Sequence, residues 1–215
     1  MTPQNKACHV ISVTNQKGGV AKTTTSINLA SAFALMKKRT LLIDLDAQAN
    51  ASTGSGRAQS KHTITDLILD ILPAKQCLTG TDFGFDIIPS SPELTHAEVE
   101  IMKKDQREFV LQNKINELKS DYDIILIDCP PSLNALTVNA LVASKYTLIP
   151  VQCEYFALEG VIQLLRTIES IKQTVNPELN ILGLLRTMYD GRNKLAKEVS
   201  EQLLLHFNHR VFNTV

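Results

Sequence analysis

Short apolar runs alternate along the chain with longer stretches in which apolar residues recur every three or four positions. Strand-sized runs lie at 8–14, 40–45, 84–88, 123–127, 146–151, 179–186 and 210–214. Helical spacing marks 22–36, 64–71, 93–103, 107–119, 133–143, 157–175 and 193–207. Runs such as Leu41-Leu42-Ile43 and Ile124-Ile125-Leu126-Ile127 are continuously apolar, as strands covered on both faces must be. Val161, Leu164, Leu165, Ile168, Ile171 and Val175 form one helical stripe, and Leu195, Val199, Leu203 and Phe207 another, so both helices should turn these residues to a core. This alternation predicts an α/β fold, a mostly parallel twisted sheet of about seven strands with helices on both faces. The Gly/Ser-rich stretch 50–63 (NASTGSGRAQSKHT) predicts a mobile surface loop. No repeat or linker divides the chain, so one domain over 1–215 is expected.

The run Asn15-Gln16-Lys17-Gly18-Gly19-Val20-Ala21-Lys22-Thr23-Thr24 joins the first predicted strand to the first helix. Adjacent glycines let the backbone approach an anion, and the N–H groups that follow open a helix at its positive dipole end. Lys22 can reach terminal phosphates there, and Thr23 supplies the hydroxyl that such loops place on Mg²⁺. The pattern G-x-x-x-x-G-K-[ST] fails at both outer glycines, where Gln16 and Ala21 stand. Lys17 is a second lysine, beyond what one cradle needs. A dinucleotide site is the other reading of a Gly-rich turn, but there is no G-x-G-x-x-G, and two lysines with paired threonines suit a triphosphate with magnesium better.

Acidic residues end two of the apolar runs. In Leu41-Leu42-Ile43-Asp44-Leu45-Asp46, strand alternation places Asp44 and Asp46 on one face, toward the ligand crevice of such a sheet. An exposed polar strand end fits the same spacing. Ile124-Ile125-Leu126-Ile127-Asp128 delivers one carboxylate in the manner of a Walker-B strand, and Pro130-Pro131 stiffens the turn after it.

The chain has 215 residues, 44% hydrophobic and 20% charged, enough for one large core. With 22 basic and 22 acidic residues it carries no net charge, so attraction to nucleic acid would need a local patch. Arg186, Arg192, Lys194, Lys197 and Arg210 gather around the last helix; they read equally as a DNA-contacting patch and as a solvated helix face. Cys8, Cys77, Cys129 and Cys153 show no C-x-x-C pair, which suits a reducing compartment. The N-terminus lacks a leader's apolar region and no run approaches the ~20 residues of a membrane span, so a soluble cytoplasmic protein is expected.

The segment NQKGGVAKTTTSINLA is similar to the deviant phosphate loop of the ParA/MinD family of partitioning ATPases, whose pattern is K-G-G-x-[GA]-K-[ST]-[ST]. DLDAQAN resembles the family's D-x-D-P-Q-x-N switch, with Ala47 in place of proline, and Asp128-Cys129-Pro130-Pro131 its second switch. The nitrogenase iron protein shares this loop type, but Cys129 is misplaced for its cluster and no second ligand is evident. Thr187-Met188-Tyr189-Asp190-Gly191-Arg192 is similar to the Soj-like branch, the small chromosomal ParA proteins. The resemblance implies a P-loop NTPase-like fold and an ATPase using ATP and Mg²⁺. It implies that Lys17, Gly18, Gly19, Val20, Ala21, Lys22, Thr23 and Thr24 bind nucleotide, and that Thr23, Asp44 and Asp128 belong to the metal shell. Lys17 would reach the phosphates of the opposite subunit in a sandwich homodimer, and Asp46 would orient the attacking water. Non-specific DNA, contacted by Arg192, Lys194 and Lys197, and a ParB-like protein are the implied partners, with a nucleoid-associated location. No membrane partner is expected, since nothing resembles the terminal amphipathic helix of MinD-type members. The Pro-Arg-Asn segment and closing helices usual in the family do not follow Val215, so a C-terminal segment is expected to be lacking. A related ATPase that positions a protein or membrane cargo, and a nucleotide-binding regulator with negligible hydrolysis, remain the alternatives.

Overall fold

The computed structural model describes residues 8–215, so the expectation that no leader precedes Cys8 lies outside the described residues. In chain order the elements are β1 (His9–Val13), α1 (Lys22–Leu35), β2 (Thr40–Asp44), α2 (Asn50–Gly54), α3 (Ile64–Ile68), β3 (Thr79–Gly80), β4 (Asp86–Ile88), α4 (Leu94–Ile101), α5 (Val110–Asn116), β5 (Ile124–Asp128), α6 (Ala135–Ala143), β6 (Tyr146–Gln152), α7 (Ala157–Thr174), β7 (Asn180–Thr187) and α8 (Lys194–Phe207). One sheet runs in the order β3-β4-β2-β5-β1-β6-β7, parallel except for β3.

The continuously apolar strands are buried on both faces for the reason their sequence gives. Leu41, Ile43, Ile125 and Ile127 pack against α3, α4, α5 and α6, while Leu42, Leu126 and Val13 face α1 and α2. The α7 and α8 stripes meet over β6 and β7, with Val161, Leu164, Ile168, Val199 and Leu203 buried together. The parallel register aligns the carboxyl ends of the central strands, with Asp128 opposite both Val13 and Asp44. In a sheet of this kind those ends form the ligand crevice. Among the described residues no helix is long and apolar enough to cross a membrane.

Two predicted elements differ. The sheet has seven strands, but the seventh is the two-residue edge Thr79–Gly80, not 210–214. At the latter only one parallel bridge forms, between Leu184 and Val211. Its ladder stops because the Arg186 guanidinium takes the Phe212 and Asn213 carbonyls, each at 3.1 Å. The stretch 50–63 is not a loop throughout: it opens with helix α2, in which Ala51 and Ser52 are buried. Ser52 donates both its N–H and its hydroxyl to Asp44 at 2.7 Å, a tether that composition cannot reveal.

Candidate active site

The loop between β1 and α1 is fixed from both sides before any ligand arrives. Asn15 donates to the Pro150 carbonyl at 2.7 Å and accepts from the Lys17 N–H at 3.0 Å. The Thr187 hydroxyl at the end of β7 donates to the Val20 carbonyl at 3.1 Å. Gly19 has φ +73°, and a Cβ there would meet nothing within 4 Å, which leaves its backbone open to a ligand. Ala21 sits in the left-handed region at φ 64°, ψ 30°, which explains why that position favours glycine. The first turn of α1 carries no acidic side chain, so its N–H groups and dipole are open to an anion.

The two lysines are in different situations. Lys22 is buried, and its ammonium donates to the Lys17 carbonyl at 2.9 Å. Burial lowers its pKa, opposed by the charges of Asp128 and Asp46. The Lys17 side chain, 41% exposed, instead pairs with Glu154 after β6.

The aspartates separate as well. Asp46, beyond the end of β2, borders a cleft of about 470 Å³ together with Gly18, Gly19, Lys22, Thr23 and Thr24. Asp44, fully buried, does not share that face: its carboxylate accepts from Ser52 twice and from the Asp46 N–H at 3.2 Å. Those bonds make it the anchor of α2 rather than an open metal ligand, and burial raises it to about 6. Asp128 is also fully buried. Its Oδ1 accepts from the Ser26 hydroxyl at 2.8 Å, while Oδ2 has no hydrogen-bond partner. Burial first, then the Asp44 charge, pushes Asp128 up to about 7, against the pull of the Thr23 and Ser26 hydroxyls and Lys22. A buried carboxylate oxygen without a partner, beside the Thr23 hydroxyl and an open helix N-terminus, fits a hydrated divalent cation with a polyphosphate.

Gln48 and Asn50 of the DLDAQAN segment, Pro131 of the second switch and Met188 of the Thr187–Arg192 segment also line the cleft, and Ser26, which supports it, was not singled out from the sequence. For Ser26 a signal existed, since it follows Lys22 by one helical turn and so shares its face.

The basic cluster does not form one free patch. Arg186 is buried, donating to Ser200 and the C-terminal carbonyls, and is structural. Arg192 is held by Asp190 at 2.8 Å, and Lys194 lies 3.8 Å from Glu198. Lys197 is exposed on α8, and Arg210 lies in a separate groove beside Arg166 and Glu169.

Fold and loop together define a P-loop ATPase with a second, outward lysine. The family profile described as an AAA domain matches residues 8–181. The chain is 46% identical over 209 residues to the chromosome partitioning protein ParA of Myxococcus xanthus, covering 96% of this chain and 74% of that protein. It is 43% identical over 209 residues to the sporulation initiation inhibitor protein Soj of Bacillus subtilis, covering 96% and 83%. Among solved structures, a cobyrinic acid a,c-diamide synthase of Mycobacterium smegmatis, with a bound ATP analogue and magnesium, superposes with a TM-score of 0.89 at 36% identity, covering 94% and 83%. The chain belongs to the ParA/Soj family of partitioning ATPases. It is an ATP hydrolase, and its cofactors are ATP and Mg²⁺.

Proposed function

We propose that this partitioning ATPase works as a dimerising switch. The observation that carries the reading is the division of labour between the lysines: Lys22 already occupies the buried cradle, and Lys17 stands outside it on the rim. A second cation so placed serves a neighbour's phosphates better than its own. Lys22, Thr23 and the loop N–H groups bind the polyphosphate, and Asp128 with Thr23 holds the hydrated Mg²⁺ that neutralises developing charge. Asp46 orients the water for in-line attack. Closing two copies face to face brings Lys17 of each onto the other's nucleotide. The ATP-bound dimer then holds DNA through phosphate contacts without sequence preference, from Lys194, Lys197 and Arg192 of both copies, and so associates with the nucleoid. A ParB-like partner stimulates hydrolysis and releases it.

The deciding experiment is sedimentation equilibrium with Mg–ATP. Wild type should form a dimer, and Lys17→Ala should bind ATP yet stay monomeric. A normal dimer in that variant overturns the sandwich assignment.

A further inference from the structure

The outward lysine does not stand free on its own subunit. Its ammonium pairs with the Glu154 carboxylate, and neither residue enters another ion pair among the described residues. The pair closes a seam between the phosphate loop and the end of β6. The Thr14 N–H donates to the Leu148 carbonyl at 3.0 Å, the Asn15 side-chain amide donates to the Pro150 carbonyl at 2.7 Å, and Lys17 then meets Glu154. Thr14 and Asn15 are buried, so opening either of those links would leave buried polar groups without partners. The last link joins two side chains that are 41% and 44% exposed. It can open into water with the rest of the loop left in place.

The backbone on each side presets the two partners. The Lys17 N–H donates to Asn15 Oδ1 at 3.0 Å, and the Lys17 carbonyl accepts from the Lys22 ammonium at 2.9 Å. Glu154 is fixed at the entry to α7, where its N–H donates to the Gln152 carbonyl and its carbonyl accepts from the Ala157 N–H, each at 2.9 Å. Only the side chains are left to rearrange, which reduces the entropy lost when they pair.

The surroundings of the pair point to the event that opens it. Tyr155 and Phe156 follow Glu154 directly, 76% and 67% exposed, with their rings edge to face and their centroids 5.0 Å apart. Exposed aromatic pairs of this kind are characteristic of surfaces that a partner covers. They adjoin the lysine that a second copy must meet in the switch reading, so the same approach that covers the rings draws on Lys17. A Lys17 extended onto the neighbour's nucleotide gives up Glu154. It exchanges one carboxylate for a more highly charged polyphosphate.

From this arrangement we infer that Glu154 is a positioning residue for Lys17, a catch that holds the lysine on its own subunit until a second copy of this chain closes over ATP. The inference rests on the switch reading above. The test uses the full chain and Glu154→Gln, which keeps the shape of the side chain and removes its charge. Without nucleotide, acylation of Lys17 by the N-hydroxysuccinimide ester of acetic acid is followed by peptide mass spectrometry. An exposed ion pair is worth about two- to fivefold in an equilibrium, so the variant should be labelled faster by about that factor at low salt and by less at high salt. Sedimentation equilibrium with Mg²⁺ and a non-hydrolysable ATP analogue then compares the dimers. Two catches open per dimer, so the factors multiply, and the variant should dimerise at roughly four- to twenty-five-fold lower protein concentration than wild type. Equal labelling of Lys17 in the two proteins overturns the catch while leaving the switch intact. A variant dimer no tighter than wild type also overturns it, and a weaker one assigns Glu154 to the closed interface instead. A wild type that stays monomeric with the analogue overturns the switch reading, and this inference with it.

Discussion

Without nucleotide, Asp128 should weaken the protein. Its carboxylate is fully buried, one oxygen has no partner, and Asp44 lies opposite it in the register of β2 and β5. Leaving a buried acceptor unsatisfied costs about 1–3 kcal/mol, and more when it is charged. The sign follows from the shift. Asp128 rises from 3.8 to about 7 in the folded chain, so between those values the folded state holds a proton the unfolded state has lost. Stability therefore falls as pH climbs through that window, and the cost is complete above about 7. Asp44, raised to about 6, acts in the same direction. Asp128→Asn removes the charge at nearly constant shape, and should stabilise the nucleotide-free protein at pH 8 by about 2–3 kcal/mol, or roughly 5–10 °C in Tm. At pH 5.5, where the native acid is protonated, the two proteins should melt much closer together. The assay is thermal melting at both pH values, with and without Mg–ATP. Magnesium nucleotide should raise the wild-type Tm at pH 8 and raise that of Asp128→Asn far less. A variant that melts below wild type at pH 8 without nucleotide would refute the reasoning, since it would show that the buried carboxylate is already satisfied in the folded protein.

Other substitutions separate the remaining roles. Lys22→Ala should abolish ATP binding in an equilibrium titration, because the cradle loses its buried cation. Asp46→Ala should bind Mg–ATP normally but release phosphate slowly, by ~10²-fold or more if it positions the water; release at the wild-type rate would place that function elsewhere. Ser52→Ala removes one donor from buried Asp44, and denaturant unfolding should show a loss of about 1–3 kcal/mol. Lys194→Ala with Lys197→Ala should weaken binding to every duplex alike and flatten its salt dependence, leaving ATP binding intact; unchanged retention on a filter at two salt concentrations would remove α8 from the DNA surface.

Much of this architecture was legible because burial on both faces leaves a plain mark. Leu41–Ile43 and Ile124–Ile127 could only be central strands, and the α7 and α8 stripes could only face a core. The phosphate loop was legible for a similar reason, since glycines, lysines and threonines stand at positions whose chemistry is local. What failed depended on partners distant in sequence. Val211–Asn213 has a strand's composition, yet its carbonyls belong to Arg186, a residue grouped by sequence with the solvent-facing cations. Asn50–Gly54 has a loop's composition, yet Ser52 meets Asp44 eight residues earlier. Asp44 and Asp46 look equivalent by alternation, but β2 ends at Asp44, and beyond a strand's end its period no longer decides where a side chain points.

That separation of the two aspartates gives the site its coupling. Asp44 holds α2 through Ser52, and Ser52 in turn accepts from the Ser90 N–H at 2.8 Å, so a single carboxylate ties the segment carrying Asp46, Gln48 and Asn50 to the sheet. The same carboxylate faces Asp128 across the β2–β5 pair, and each negative charge raises the cost of the other. Cation charge arriving at Asp128 lowers the cost of ionising Asp44, and an ionised Asp44 grips the two Ser52 donors more strongly than a protonated one. If Mg²⁺ binds at Asp128 as proposed, loading it should tighten the segment that bears Asp46 without any direct contact between Asp46 and Asp128. In Ser52→Ala, half of that grip is gone, so Mg²⁺ should order the 46–54 segment less, which amide exchange of residues 46–54 measured with and without Mg–ATP would register. Equal protection in wild type and variant would show that the segment is ordered by the nucleotide alone.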